Sequence, residues 1–254
     1  MKIAIIPARG GSKRIPRKNI KDFCGKPMLG WSIEAAREAK VFDRIYVSTD
    51  DQEIADIAKH FGAECPFLRP PSLSDDFTGT SAVVKHALAW TLENVGEVDY
   101  VCTLYPTAPF VQPGDLAEAL HRLQASDKQI AFSVTSFPFP IQRALRIDEA
   151  GNIAMFQPEH RMTRSQDLTP AFHDAGQFYW ARKDALLNDV QAFGPAGLPI
   201  VLPRHRVQDI DTPEDWVRAE YMFLALRESQ PVTTTALNQI EKGLASQSLP
   251  MQSR

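Results

Sequence analysis

Between Ile5 and Asn19 the chain reads IIPARGGSKRIPRKN, and Arg9, Lys13, Arg14, Arg17 and Lys18 place five cations within ten residues. Gly10 and Gly11 let a backbone turn tightly and approach a ligand closely, and their N–H groups can converge on an anion. Arginine grips phosphate oxygens with a planar fork, lysine as a point charge. An apolar strand, a glycine pair and spaced cations together form a polyphosphate cradle; the competing reading is a solvated basic loop. Two familiar cradles are excluded. The G-x-G-x-x-G spacing is absent and Pro16 interrupts any early helix; no G-x-x-x-x-G-K-[ST] run exists. Near the other end, QDIDTPEDW sets Asp209 and Asp211 two apart. On a strand such positions share a face, and two carboxylates there suit Mg²⁺, which takes one or two carboxylates together with phosphates and water. The alternative is a helix cap at Asp211 and a surface acid at Asp209.

Elements must bring these groups together. Apolar runs predict strands over 2–7, 44–48, 65–68, 99–104, 130–135, 177–182 and 198–203. Between them lie predicted helices over 30–40, with Ser32 as a possible cap, and over 51–61, 80–94 and 114–125. A last helix over 211–229 opens on Thr212 as cap, Pro213 at its first position and acidic Glu214 and Asp215. Such alternation predicts an α/β fold, a mostly parallel Rossmann-like sheet between two helical layers. Ligands bind beyond the carboxyl ends of such strands, which singles out 8–19, 49–51, 105–110 and 136–143. The rhythm breaks over 137–176, an excursion that reads as a lid or a dimer arm. Residues 230–254 are polar and read as a poorly ordered tail.

The 254 residues carry a net charge of −3, so the cations near the N-terminus are a local device and no nucleic-acid partner is expected. Cys24, Cys65 and Cys102 are widely spaced, which argues against a disulfide frame or zinc site and fits a reducing cytoplasm. No apolar run is long enough for a membrane span.

The opening stretch, IIPARGGSKRIPRKNI with GKPML behind it, resembles the N-terminal signature of the nonulosonic acid cytidylyltransferases, which make CMP-activated sialic acid and its relatives. YVSTDD (46–51), LRPPSLSDDFTGT (68–80), LYPTAPF (104–110) and QDIDTPEDW (208–216) follow in that family's order, over roughly residues 1–228. SDDFTGT, PIQRAL (140–145) and TRSQDLTPAFHDAGQFYW (163–180) are most similar to the branch acting on pseudaminic acid. The resemblance implies a nucleotidyltransferase domain over 1–229 with 137–176 as its dimer arm, a homodimer, and CTP and a nine-carbon keto-acid sugar as substrates with Mg²⁺. The anomeric hydroxyl would displace pyrophosphate from the α-phosphorus.

By the same resemblance Arg9 and Lys18 contact the triphosphate, with Lys13, Gly10, Gly11 and Ser12 beside them and Asn19 helping hold the nucleotide. Asp209 and Asp211 hold the metal. Arg69, the backbone at Ala8 and the region Asp76, Thr78 and Thr80 read the cytosine; for Thr80, capping the following helix is an equal reading. Sugar contacts are implied for Tyr105, Thr107, Gln142 and Arg143, and for Arg164, His173, Asp174, Gln177 and Tyr179. An arginine among these would take the sugar carboxylate, while His173 has a structural alternative. Sialic acid synthetases usually carry Gln where this chain has Tyr105, and an apolar tyrosine face suits a deoxy sugar with a methyl group. Competing readings are a synthetase for sialic or legionaminic acid, a nicotinamide oxidoreductase, and a non-catalytic nucleotide-binding regulator.

Overall fold

The computed structural model of the chain describes residues 1–75 and 77–228; Asp76 and the tail expected over 230–254 lie outside the described residues. Six strands form the main sheet: β1 (Lys2–Pro7), β4 (Arg44–Ser48), β5 (Tyr100–Leu104), β6 (Ile130–Ser136), β9 (Phe172–Arg182) and β10 (Gly197–Val201). Their order across the sheet is β10-β6-β9-β5-β1-β4. β1 pairs in parallel with β4 and β5, and β10 with β6, whereas β9 runs antiparallel between β5 and β6. The short pair β2 (Asp22–Phe23) and β3 (Lys26–Pro27) follows the cationic loop, and β7 (Leu145–Ile147) with β8 (Ile153–Met155) makes a separate hairpin in the excursion.

β1 is buried on both faces because its apolar run is continuous, so that successive side chains reach opposite layers. Ile3 and Ile5 pack with Val84, Ala87 and Leu88 of α3 (Thr80–Asn94), while Ile6 faces Leu29 and Ile33 of α1 (Met28–Ala39). Helices α2 (Gln52–His60) and α4 (Pro113–Gln124) share the α1 side, and α5 (Lys183–Leu187) contacts α3. The result is the expected three layers. Asp51 caps α2 by accepting the Ile54 N–H at 3.1 Å, and Gly62 follows at φ +89. α6 (Pro213–Glu228) starts on a reciprocal cap: the Asp215 N–H donates to Thr212 Oγ1 at 3.2 Å, and the Thr212 N–H donates to Asp215 Oδ2 at 2.8 Å.

Several boundaries differ from expectation. Ser32 lies inside α1, fully buried, and donates its hydroxyl to the Tyr105 carbonyl at 2.8 Å; the helix begins directly after Pro27. The stretch at 65–68 is no strand: only Glu64 bridges to Tyr46, and Pro66 brings no ladder donor. β9 begins at Phe172, so the excursion ends near 171 rather than 176. Residues 207–212 are irregular, so the strand alternation invoked for Asp209 and Asp211 does not apply.

A separate apolar cluster seats the cationic loop. Ile15, Phe23 and Met28 pack with Phe110 and with Trp216 and Phe223 of α6. Phe23 meets the rings of Trp216 and Phe223 edge-on, both at 5.4 Å. The loop after β1 is thereby fixed to the helix that follows Asp211.

Candidate active site

The loops at the carboxyl ends of β1 and β5, with the segment leading into α3, enclose a cavity of about 480 Å³. Arg9, Ser12, Lys13, Arg14 and Lys18 reach it from the loop after β1. Arg69, Asp75, Thr78 and Thr80 form another side, and Tyr105 and Thr107 a third. Asn19, 5% exposed, donates its side-chain amide to the Arg9 carbonyl at 2.9 Å and holds the loop closed on itself. Lys18 Nζ donates to the Ile210 carbonyl at 2.6 Å and lies 3.4 Å from Asp211 Oδ1, while Arg14 meets Asp211 Oδ2 at 2.8 Å. Arg14 therefore lines the cavity and Arg17 does not. Arg17 turns back at φ +56 and binds the carboxylates of Asp51 and Glu53.

The glycines work differently from the expected anion nest. The Gly10 N–H is taken by Asp50 Oδ1 at 2.9 Å, and neither glycine has a positive φ. A Cβ at Gly10 would lie 2.8 Å from Asp51 Oδ2, whereas one at Gly11 would meet nothing within 4 Å. Gly10 is thus a close-approach residue against the Asp50-Asp51 turn. Ala8 is fully buried and bonded through its N–H to the Ser48 carbonyl at 2.9 Å. Arg69, 6% exposed, is clamped to the Ser48 carbonyl, and burial holds its guanidinium below the usual value. Thr78 closes an Asx turn on Asp75 with its N–H and hydroxyl, both at 2.7 Å. Thr80 does not cap α3, whose cap position is Gly79; it lines the first cavity beside Tyr105 instead.

A second cavity, about 1030 Å³, opens between the ends of β6 and β9, the turn after β10 and α6, and shares Tyr105 and Thr107 with the first. The antiparallel β9 brings its first residues to the same sheet edge, so His173 and Asp174 line this space together with Thr135 and Ser136 at the end of β6. A bulge makes the placement possible. β9 pairs Tyr179 with Phe132 and then Asp174 with Val134, leaving extra residues on β9. Buried Ser133 accepts the N–H groups of Gln177 and Phe178, each at 3.3 Å, and Gly176 takes φ +63. Asp174 is held by the Gly176 N–H at 2.9 Å and by the Tyr179 hydroxyl, whose ionisation is pushed strongly upward by burial and by that carboxylate. His173 Nδ1 lies 2.8 Å from the Asp174 carbonyl, so it donates there and turns its other nitrogen outward.

Tyr105 is the wall between the cavities. Its backbone is pinned by Ser32 at 2.8 Å and by the Gln177 carbonyl at 2.9 Å, and burial raises its hydroxyl's ionisation. Asp211 faces the first cavity and Asp209 the second. Partial desolvation, then the neighbouring Asp211 charge, raise the Asp209 carboxyl above its usual range. A divalent cation would relieve that repulsion. Among the described residues there is no group of three or more acidic, His or Cys side chains that could hold a metal. Two carboxylates supplemented by phosphate oxygens fit Mg²⁺ rather than an all-protein cage.

Four expected sugar contacts stand apart from the second cavity. Gln142 donates to the Thr169 carbonyl at 2.9 Å, Arg143 donates to Ser165 Oγ at 3.3 Å, and Arg164 pairs with Asp167 at 2.7 Å, all within the excursion. Gln177 is 3% exposed and donates to the Arg206 carbonyl at 2.6 Å, a structural role. Tyr179 reaches the cavity only through Asp174. Residues that sequence reasoning missed there include Arg204, His205, Gln208 and Arg218. RHR carries no motif, and only the turn over Arg204–Arg206 aims it.

Residues 3–231 match the cytidylyltransferase family. The chain belongs to that family. A pseudaminic acid cytidylyltransferase of Campylobacter jejuni is 43% identical over 228 residues, covering 89% of this chain and 98% of the relative. A CMP-N,N'-diacetyllegionaminic acid synthase of Legionella pneumophila is 31% identical, covering 87% and 95%. Among solved structures, a CMP:2-keto-3-deoxy-manno-octonic acid synthetase complexed with CTP superposes with a TM-score of 0.63 at 18% identity, over 88% of this chain and 98% of that one. That likeness concerns the fold, and this cytidylyltransferase shares its layered sheet. Among the described residues no helix is long and apolar enough to cross a membrane.

Proposed function

We propose that this cytidylyltransferase joins CTP and pseudaminic acid, giving CMP-pseudaminic acid and pyrophosphate. One observation carries the reading: a cationic cavity and a larger polar cavity meet at Tyr105 and Thr107, with one acid of the Asp209/Asp211 pair facing each. The triphosphate occupies the first cavity and the sugar the second, so the anomeric hydroxyl meets the α-phosphorus at their junction. The hydroxyl oxygen forms the new P–O bond and the bond to pyrophosphate breaks. Lys18, Arg14 and Arg9 neutralise charge on the departing group, the main service that protein gives to such displacements. Lys18 is pre-placed for this by the Ile210 carbonyl. Asp209 and Asp211 would hold Mg²⁺, which when bound neutralises phosphate charge and acidifies a coordinated hydroxyl.

Pseudaminic acid is preferred over sialic and legionaminic acid because the 43% identical relative carries that activity by name and because Tyr105 presents an apolar face at the junction. The excursion supports a dimer: Phe139, Ile147 and Ile153 on it are 79%, 71% and 65% exposed. Light scattering is expected to give twice the chain mass, and Ile147→Glu to give the monomer. A wild-type monomer with full activity would overturn the arm reading. The reaction itself is tested by pyrophosphate release from CTP and Mg²⁺ with pseudaminic acid, with N-acetylneuraminic acid and without sugar.

A further inference from the structure

The second cavity holds two arginines that make no direct ion pair within the fold. The turn Arg204–Arg206 sends its three side chains to different places. Arg206 goes inward, pairing with Asp115 at the start of α4 at 2.6 Å. Arg204 and His205 are left facing the cavity, and Arg218, on the second turn of α6, faces it from another side. Among the described residues neither Arg204 nor Arg218 makes a side-chain hydrogen bond or an ion pair. The nearest acids are committed elsewhere. Both oxygens of Asp174 receive donors from their own strand, and Asp215, one turn before Arg218, accepts its hydrogen bonds from Thr212 and feels the Arg218 charge only across a distance too long for an ion pair. Asp209 stands beside Asp211. The arginines of the arm are in the opposite condition: Arg164 is bound through two nitrogens to Asp167, at 2.7 and 3.2 Å, and Arg143 is satisfied by Ser165 and the Arg161 carbonyl.

We propose that Arg204 and Arg218 form the carboxylate-binding end of the second cavity and anchor the acid group of the keto-acid sugar. This rests on the reading above that the cavity takes such a sugar. A carboxylate offers four lone-pair sites to guanidinium forks, and two unpaired guanidiniums approaching from different elements fix its position along the cavity. The sugar's anomeric carbon adjoins that carboxylate, so anchoring the acid also sets where the attacking hydroxyl lies relative to Tyr105.

Binding is measured by calorimetry on the full chain saturated with a CTP analogue that cannot lose pyrophosphate, with pseudaminic acid and its methyl ester as probes. Arg204→Gln with Arg218→Gln is expected to weaken the acid about 10- to 100-fold. Binding of the methyl ester and of the nucleotide analogue should stay within about twofold of wild type. Replacing both by Lys should recover part of the loss, since charge returns without the fork. Both residues are exposed and make no side-chain hydrogen bond or ion pair, so a melting temperature within about 2 °C of wild type is expected. The proposal is overturned if acid and ester weaken equally, if the acid is unaffected, if wild type binds no acid, or if Arg143→Gln or Arg164→Gln carries the loss instead. Wild-type protein that binds the acid as described yet releases no pyrophosphate would sink the reaction proposed above and leave this assignment standing.

Discussion

Gly10→Ala and Gly11→Ala form a pair in which the structure predicts opposite outcomes. A Cβ on Gly10 would sit 2.8 Å from Asp51 Oδ2 and 3.1 Å from Asp51 Cβ, where ordinary contact begins at 3.4 Å. One side must move by about 0.6 Å, the difference between 3.4 and 2.8. Asp51 is poorly placed to yield. Its Oδ1 accepts the Ile54 N–H at 3.1 Å and an Arg17 N–H at 3.2 Å, and its Oδ2 holds Arg17 as well. The loop carrying Arg9, Ser12 and Lys13 shifts instead. Overpacking of this kind costs about 1–3 kcal/mol, or a fall of about 2–10 °C in melting temperature for a domain this size. A displacement approaching 1 Å in a positioning loop costs up to about 100-fold in rate. Gly10→Ala is therefore expected to fold, melt lower and lose about 10- to 100-fold in kcat/KM for CTP. Gly11→Ala has open space and an ordinary φ, so it should melt at or slightly above wild type and keep its activity. The assay is pyrophosphate release at saturating sugar, with melting followed by circular dichroism. Equal damage from both substitutions would refute the close-approach argument and restore the convergent N–H groups; a harmless Gly10→Ala would refute it as well.

Lys18→Ala should lower kcat by about 10²–10³ while nucleotide binding weakens less, because the lysine matters most as pyrophosphate leaves; rapid-quench measurement of the chemical step checks this. Tyr179→Phe removes a donor from Asp174 and should raise the KM for sugar about 5- to 30-fold with the KM for CTP unchanged. An effect on CTP alone would contradict the placement of Asp174. The Asp51 carboxyl is held below its usual value of 3.8, chiefly by the Arg17 hydrogen bonds. A carboxyl depressed by folding stabilises above its unfolded pKa and loses that contribution as pH falls through its folded value. The stability gap between wild type and Asp51→Asn in urea titrations should thus be constant near neutrality and narrow below about pH 4. A gap that closes near pH 7 would refute the ion pair as its source.

The parallel strands and long helices were legible because their signals are local. β1 and β4 are short apolar runs, and the caps at Asp51 and Thr212 mark α2 and α6 directly. The cation loop was legible in composition but not in aim. Nothing in ARGGSKRIPRKN distinguishes Arg14, which reaches Asp211, from Arg17, which turns to Asp51; a positive φ at Arg17 decides it. The antiparallel β9 was hidden because alternation suggests parallel strands, and its bulge rests on the distant Ser133. Residues that open that strand therefore face the same cavity as residues that follow β6. Gln142, Arg143 and Arg164 occur in the expected order, yet they turn into the excursion, whose loops supply their partners. Arg204 and Arg218 lie in stretches with no motif, and only the tertiary fold converges them.

The most direct measurement is CTP-dependent pyrophosphate release by the purified full chain with Mg²⁺, comparing pseudaminic acid, N-acetylneuraminic acid and no sugar. The account predicts release with pseudaminic acid alone, or at a kcat/KM far above that for N-acetylneuraminic acid. A preference for N-acetylneuraminic acid would contradict the reading of Tyr105, and CTP binding without release for any sugar would contradict the junction of the two cavities as a site of transfer.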